Sequence, residues 1–459
     1  MNIRRICRPL AVCVFLQSAG YGQSPPLTES IVRGAASSAT IDLSLKDAID
    51  RAIRNNLAIV SSNDAERVAA AKRLEDLAEL YPKFDARVGS EQRQTNLAAF
   101  GFGGFPGVQQ VIGPFALFDM RAYVSQPIVA PERVHNLREA TEKERAAVFS
   151  SRNTRELVVL TALDLYFQTL SSESRIVSVR AQLDRARRLF SRATDLKNAG
   201  FATGLDVVRA EVEQRSVEQR LIQATNAVQK QKLLLARAIG LPLDQEFRLS
   251  DRLPPENAMD PPISELLERA YANRSDAKAL DAQVRAAEEA LKAAKAKGKP
   301  TVNALGDYGV IGRSPFSSHG TYSLGLELKV PLYDRSIESG ELEKQAEIHQ
   351  RSAERDSLNG RIEFEIRSAL LDLGSAREQL QVARRQLTLA QQQLDQSQDR
   401  FDAGVTDNLE VVQAQEAVAL ADEGVIQSLY GFNVSRALLA RATGVAEKSI
   451  EEAFKGSSK

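Results

Sequence analysis

The chain has 459 residues and carries 60 Lys+Arg against 60 Asp+Glu, so no basic field singles out nucleic acid as a partner. Tryptophan is absent and aromatics are only 6% of residues, which is poor material for a large globular core and suits long helices rich in Ala, Leu, Gln and charged side chains.

The N-terminus, MNIRRICRPLAVCVFLQSAGYGQS, sets Arg4, Arg5 and Arg8 before an apolar run from Pro9 to Leu16. Small residues follow at Ser18, Ala19, Gly20 and Gly22. That order predicts a secretory signal peptide over residues 1–23. The apolar run is too short to span a bilayer. Leu10-Ala11-Val12-Cys13 has the outline of a lipobox, but Val12 is bulky where that box needs a small residue. Cys7 and Cys13 are the only cysteines and would leave with the signal, so no disulfide or thiol chemistry is expected in the mature chain. Losing the three arginines takes the formal charge from +0 to −3. No later run of about 18 apolar residues predicts a transmembrane helix.

Residues 24–43 read as a linker, and a first unit follows at 44–242. It opens with an amphipathic helix over Leu45 to Asn56 and a second helix from about Ile59 to Leu80. Pro82 ends the latter, because proline lacks the N–H and clashes with the preceding turn. Then the period changes. Phe84, Ala86 and Val88 alternate with Asp85, Arg87 and Gly89, predicting a strand over Phe84 to Thr95, and a second strand is expected at about Leu117 to Val129. Between them the Gly/Phe run from Phe100 to Gly107 reads as a hairpin loop. A phosphate loop would lead into a helix, and here a strand comes next.

From Glu132 to Asn198 there is no proline or glycine, which predicts one helix. A helix of that length spans about 100 Å. Ile176, Val179, Leu183, Ala186, Phe190 and Ala193 give it heptad spacing. Gly200 stops it in a left-handed cap. Thr203 or Gly204 then caps a return helix that has Asp206 in its first turn and runs to Gly240. The return helix covers about half of the long one, and the shorter helices before the strands can cover the rest.

After a linker at 243–262, a second unit at 263–446 repeats this order, and a tail occupies 447–459. Adding 218 carries Leu45, Ala48, Ile49, Ala52 and Asn55 onto Ile263, Leu266, Leu267, Ala270 and Asn273, and Pro82 onto Pro300. From Pro127 onward the shift is 204, carrying Pro127 onto Pro331, Gly200 onto Gly404 and Gly240 onto Gly444. The 14-residue difference falls between Pro82 and Pro127. The second unit thus predicts a helix over about Asp276 to Lys297, strands over Val302–Val310 and Thr321–Val330, and a long helix from about Ile337 to Ala403. Its heptads read Leu380, Ala383, Leu387, Ala390, Leu394, Ser397 and Phe401. Asp407 or Asn408 caps the second return helix, with Glu410 in its first turn.

Four amphipathic strands result, each long enough to cross a bilayer when tilted. An open four-stranded sheet cannot sit in lipid, because its edges expose unpaired backbone. Several copies must therefore close a barrel with cyclic symmetry.

With these parts the chain resembles the TolC-like outer-membrane efflux protein family. The resemblance is carried by LSLKDAIDRAIRNNLAI, the YPKF lead-in to the first strand, the VPLYD exit from the last, and the turns GFATGLDVV and GVTDNLEVV. No single motif is diagnostic; the duplicated order of parts is. The resemblance implies a mostly α fold with a transmembrane β-barrel part. It implies a homotrimer, whose twelve-stranded barrel in outer-membrane lipid continues as an α-helical barrel in the periplasm. It implies an exit duct for efflux or type I secretion, working with an inner-membrane pump and a periplasmic adaptor and needing no cofactor. By position, Gly200, Phe201, Leu205, Gly404, Val405 and Leu409 fall at the periplasmic tip that docks the adaptor. Asp206, Glu410 and Gln413 fall at the gate constriction. The family's second acid is Gln413 here, and its basic latch residue is Thr406, so a weakly closed resting channel is expected.

Simpler readings stand beside these. Asp206 and Glu410 can serve only as helix-dipole partners. Phe201 can pack beneath its turn, and Gln126-Pro127 and Val330-Pro331 can simply mark strand exits. His135, His319 and His349 are isolated, and no HExxH, CxxC or GxSxG motif gives an enzyme. His135 near Glu139 could hold a metal weakly, against a plain solvated helix surface. The competing class is a secreted coiled-coil scaffold or a periplasmic adaptor; the latter predicts one helical hairpin and no membrane strands.

Overall fold

The structure is a computed structural model that describes residues 27–101, 107, 109–251 and 262–445. The signal peptide, most of the Gly/Phe loop, much of the second linker and the tail lie outside the described residues. In chain order the elements are β1 (Ile41–Leu43), α1 (Leu45–Asn55), α2 (Leu57–Ala78), β2 (Lys83–Asn96), β3 (Val111–Val129), α3 (Pro131–Asn198), α4 (Gly204–Ile239), β4 (Phe247–Leu249), α5 (Ile263–Asn273), α6 (Ser275–Ala296), β5 (Thr301–Gly312), β6 (Ser318–Lys329), α7 (Arg335–Asp402) and α8 (Asn408–Ala442).

The duplication holds in three dimensions. The long helices α3 and α7 each have 68 residues and start at Pro131 and Arg335, which are 204 apart. In the first hairpin Arg87 faces Arg121; shifting these by 218 and 204 gives Leu305 and Gly325, which face each other in the second. The extra residues of the first unit are therefore confined to its hairpin end, where β3 begins at Val111, earlier than the expected Leu117.

Other boundaries also differ. Asn56 ends α1 because its extended backbone (φ −65°, ψ 130°) breaks the helix, and its side chain accepts from the Ala58 N–H to start α2. The helices α2 and α6 stop at Ala78 and Ala296, before the expected Leu80 and Lys297, as each chain turns into its proline. The pair β1–β4, parallel and three residues each, was not expected; segments this short show no alternation. It is tied to α3 by Tyr166, whose hydroxyl lies 3.0 Å from the Leu43 carbonyl and 2.8 Å from Asp251 Oδ2. Burial, and then the neighbouring Asp251 carboxylate, push that phenol far above its ordinary pKa.

The two hairpins join into one antiparallel sheet in the order β2-β3-β5-β6. Its rows alternate in character. The row Phe84, Val124, Gly306, Leu324 and the row Ala86, Ala122, Tyr308, Tyr322 lie on one face; the row Asp85, Tyr123, Asp307, Ser323 lies on the other. The apolar face stands exposed, including Phe84, Tyr308, Leu324, Leu326 and Leu328. On the polar face Arg121 is held by Asp119 at 2.7 Å and Asp307 at 3.2 Å. The same face carries Lys83, Asp85, Arg87, Glu327 and Lys329.

Below the sheet the helices form a rod. Near the sheet, α3 packs between α2 and α6, and α6 also packs on α7. Farther down, α4 packs on α3, and α8 on α7 and α3. The seams of α3 and α7 meet α4 and α8 through Ala193, Ala210, Ala390 and Ala414, small residues that let helices approach closely. Midway, Arg274 is 2% exposed and bonds Asp276 (2.7 Å) and Glu365 (2.5 Å), tying the start of α6 to α7. Burial alone would raise the Asp276 pKa, but the Arg274 bond and charge hold it below the ordinary value.

The repeated helices α2 and α6 differ in burial. Ala277, Ala282, Ala286, Ala290 and Ala294 are buried along α6, while among the described residues α2 buries Ala58 and Ile59 at one end. Val68, the position equivalent to Ala286, is 70% exposed against 3%. The reason is geometric: α6 lies between the two long helices α3 and α7, whereas of these α2 has α3 alone.

Candidate functional site

The far end of the rod carries both duplicated turns. At Gly200 (φ +81°) the Phe201 N–H bonds the Leu196 carbonyl at 2.8 Å and the Gly200 N–H bonds that of Lys197 at 3.0 Å. At Gly404 (φ +71°) Val405 reaches Arg400 and Gly404 reaches Phe401, both at 3.0 Å. This is the paired bonding of a Schellman cap, which needs the left-handed conformation that glycine adopts without strain. Nothing lies within 4 Å of a Cβ built at either glycine, so backbone conformation, not crowding, selects them.

Thr203, rather than Gly204, caps α4. Its hydroxyl and backbone N–H both donate to Asp206 Oδ2, at 2.6 and 2.9 Å, and the Asp206 N–H returns a bond at 3.3 Å. Asp206 is therefore 5% exposed, with its carboxylate committed to the cap. Burial pushes its pKa upward, but the Thr203 side-chain and backbone bonds, the Asn408 backbone and Arg209 outweigh this and hold it below the ordinary value. Asp407, rather than Asn408, caps α8, accepting from the Leu409 N–H at 3.1 Å. Glu410 is half-buried and accepts from Arg400 at 2.9 Å, and Gln413 is exposed. Phe201 (80%), Val405 (70%), Leu205 and Leu409 stand exposed around the turns, so Phe201 does not pack beneath its own.

The two tips touch. The Asn408 amide donates to the Asp206 carbonyl at 2.6 Å, Arg209 to Asp407 at 3.1 Å and Arg192 to Asp402 at 2.9 Å. A cleft of about 420 Å³ between them is lined by Leu196, Phe201, Asp206, Phe401 and Thr406. Sequence reasoning missed Arg192, Arg209 and Arg400, and offered Asn408 only as an alternative cap. A signal was present: Asn408 aligns with Gly204, and Arg209 with Gln413, so the tips differ where they meet.

Among the described residues no group of three or more His, Cys, Asp or Glu side chains is placed to hold a metal ion. His135 does not pair with Glu139, which bonds Lys143; it faces Glu289 at 2.8 Å across the α3–α6 contact. Nor is it a solvated surface residue, since both partners are largely buried. No helix among the described residues is long and apolar enough to cross a membrane.

A sequence model of the outer membrane efflux protein family matches residues 48–241 and 266–445, one match for each unit. The chain belongs to that family. Membership makes it an outer-membrane efflux channel, with the sheet in the membrane and the helical rod in the periplasm. Comparison with curated proteins gives no match. Solved structures share the fold. A membrane protein from Pseudomonas aeruginosa is 18% identical with a TM-score of 0.76, covering 92% of this chain and 99% of its own. The CmeC outer membrane channel of Campylobacter jejuni is 15% identical with a TM-score of 0.75, covering 98% of each. The open-state MtrE channel of Neisseria gonorrhoeae is 14% identical with a TM-score of 0.74, covering 93% and 98%. The scaffold and adaptor readings are thereby set aside for this outer membrane efflux protein.

Proposed function

We propose that the protein is a homotrimer forming the exit duct of a tripartite efflux or type I secretion system. Three sheets close a twelve-stranded barrel in outer-membrane lipid, and three rods continue it as a helical tunnel. The observation that carries this reading is the contrast between α6, covered on two sides, and its repeat α2, covered on one. A neighbouring copy's α7 supplies the missing side. The exposed Leu342, Phe364 and Leu371 on α7 support the same closure. So do the open edges β2 and β6, which lipid cannot satisfy.

A periplasmic adaptor docks at the tip turns, on Gly200, Phe201, Leu205, Gly404, Val405 and Leu409. The constriction lies at the level of Asp206, Glu410 and Gln413. Asp206 shapes it through the turn it caps, Glu410 is half-buried against Arg400, and Gln413 is exposed. The duct performs no chemistry, and an inner-membrane pump supplies the energy. Fractionation followed by native mass measurement in mild detergent tests the reading: the protein stays with the outer membrane after a high-salt wash and has three times the chain mass. Release by salt as a monomer overturns it.

A further inference from the structure

The sheet ends in two unpaired edges, β2 and β6. The chain also holds a template for how such edges meet. Where the two hairpins adjoin, β3 pairs antiparallel with β5, Arg121 opposite Gly309. The shift of 204 carries β3 onto β6, and the shift of 218 carries β2 onto β5. Both shifts hold residue for residue between the hairpins. Applied to the β3–β5 contact, they set Gly325 opposite Glu91 of the partner subunit.

We propose that β6 of one subunit pairs antiparallel with β2 of the next in this register. The seam runs from Ser323 opposite Arg93 of the partner subunit to Lys329 opposite Arg87 of the partner subunit. This rests on the trimer proposed above and specifies its membrane joint.

The charges fit. On the polar face Glu327 meets Gly89 of the partner subunit and lies diagonal to Arg87 of the partner subunit. Lys329 lies diagonal to Asp85 of the partner subunit. Both diagonals run in the same sense as the observed Arg121–Asp307 bond across β3–β5, at 3.2 Å. There too a charged side chain lies against a glycine: a Cβ on Gly309 would come within 2.7 Å of Arg121 Cγ. At Gly89 nothing lies within 4 Å, which leaves the same room for Glu327. Within one chain, among the described residues, Asp85, Glu327 and Lys329 have no ionic partner, and Arg87 only rests on the Tyr123 ring at 4.7 Å. On the apolar face the register sets Leu328 against Val88 of the partner subunit.

Other registers fare worse or differ. A slip of one residue turns every side chain to the wrong face. A slip of two in one direction sets Glu327 directly against Glu91 of the partner subunit, a like-charge contact. A slip of two in the other direction sets Glu327 directly opposite Arg87 of the partner subunit and Lys329 directly opposite Asp85 of the partner subunit, which charge alone favours, so the repeat alone rules against it and the experiment must separate the two.

Directly opposed residues in an antiparallel pair lie within disulfide reach. On the signal-peptide reading, engineered cysteines are the only thiols left in the mature chain. Three double variants of the full-length protein are compared in outer membranes under mild oxidation. They combine Gly325→Cys with Glu91→Cys, Gly89→Cys or Arg93→Cys. The Glu91→Cys pair is expected to give a reductant-sensitive ladder of dimer and trimer, and the other two to remain mostly uncrosslinked. A ladder dominated by either of those two overturns the register. So does the absence of any ladder in protein whose native mass is trimeric. A monomeric native mass instead removes the trimer itself. As a check independent of thiols, Glu327→Arg reduces the detergent-resistant trimer, and adding Arg87→Glu restores it. Failure of that restoration also counts against the seam.

Discussion

At the scale of the residue, Asp206 shows how position alone can mislead. Its alignment at the constriction is consistent with a pore-lining acid, yet its carboxylate is folded into the Thr203 cap. Replacing it with alanine should cost about 1 kcal/mol of local helix stability, the usual value for a lost cap. Faster amide hydrogen exchange in the first turns of α4, with the rest of the rod unchanged, is the expected readout. The pH dependence follows from the direction of its shift. A carboxyl held below its ordinary pKa contributes stability that is complete above that ordinary value and is lost as pH falls through the folded one. Exchange at this turn should therefore stay flat from neutral down to the ordinary carboxylate range, near pH 4, and rise only in stronger acid. Arg274 is the second residue to probe. Removing one partner of a buried ion pair costs about 3–5 kcal/mol, so Arg274→Ala, which strips Asp276 of its partner, should lower the thermal midpoint far more than Arg248→Ala, an exposed pair with Asp42.

At the scale of the element, the legible features were the periodic ones. The 68-residue helices, the alternating strands and the glycine stops all follow from spacing, and so does the in-register duplication. Less was legible where short segments or differences between the copies decide. The β1–β4 pair depends on Tyr166 and Asp251 reaching it from afar in sequence. The clasp between the tips depends on Asn408 and Arg209, positions at which the copies disagree. The glycine stops give a prediction at this scale. Gly200→Ala and Gly404→Ala fill open space but force a left-handed alanine, costing about 1–2 kcal/mol each. Both variants should still assemble, with increased protease cleavage at the substituted tip.

At the scale of the whole molecule, a single chain is half-finished on one flank. Val68 on α2 is a surface residue in the chain and would be an interior one in the proposed trimer. Val68→Asp should therefore leave helix content unchanged and reduce the trimer fraction, measured by native mass. An unchanged trimer would contradict the proposed closure. The tip predicts behaviour too. Thr406 and Gln413 stand where the resemblance leads one to expect a base and an acid, so the proposed gate is expected to close without a strong latch. In planar bilayers the wild-type protein should show measurable resting conductance, and Thr406→Arg should lower it. A tightly sealed wild-type pore, insensitive also to Glu410→Gln, would refute weak closure.

The polar face of the sheet has one more consequence. Lys83, Arg87, Arg93, Arg121 and Lys329 stand beside Asp85, Glu91, Asp119, Asp307 and Glu327, five cations among five anions. Once the barrel closes, that face becomes the wall of a conduit whose fixed charges cancel over short distances. Salt gradients across it should give a reversal potential near zero, so the membrane segment passes anions and cations alike. Whatever sorting this route performs is then imposed upstream, before cargo reaches the bilayer.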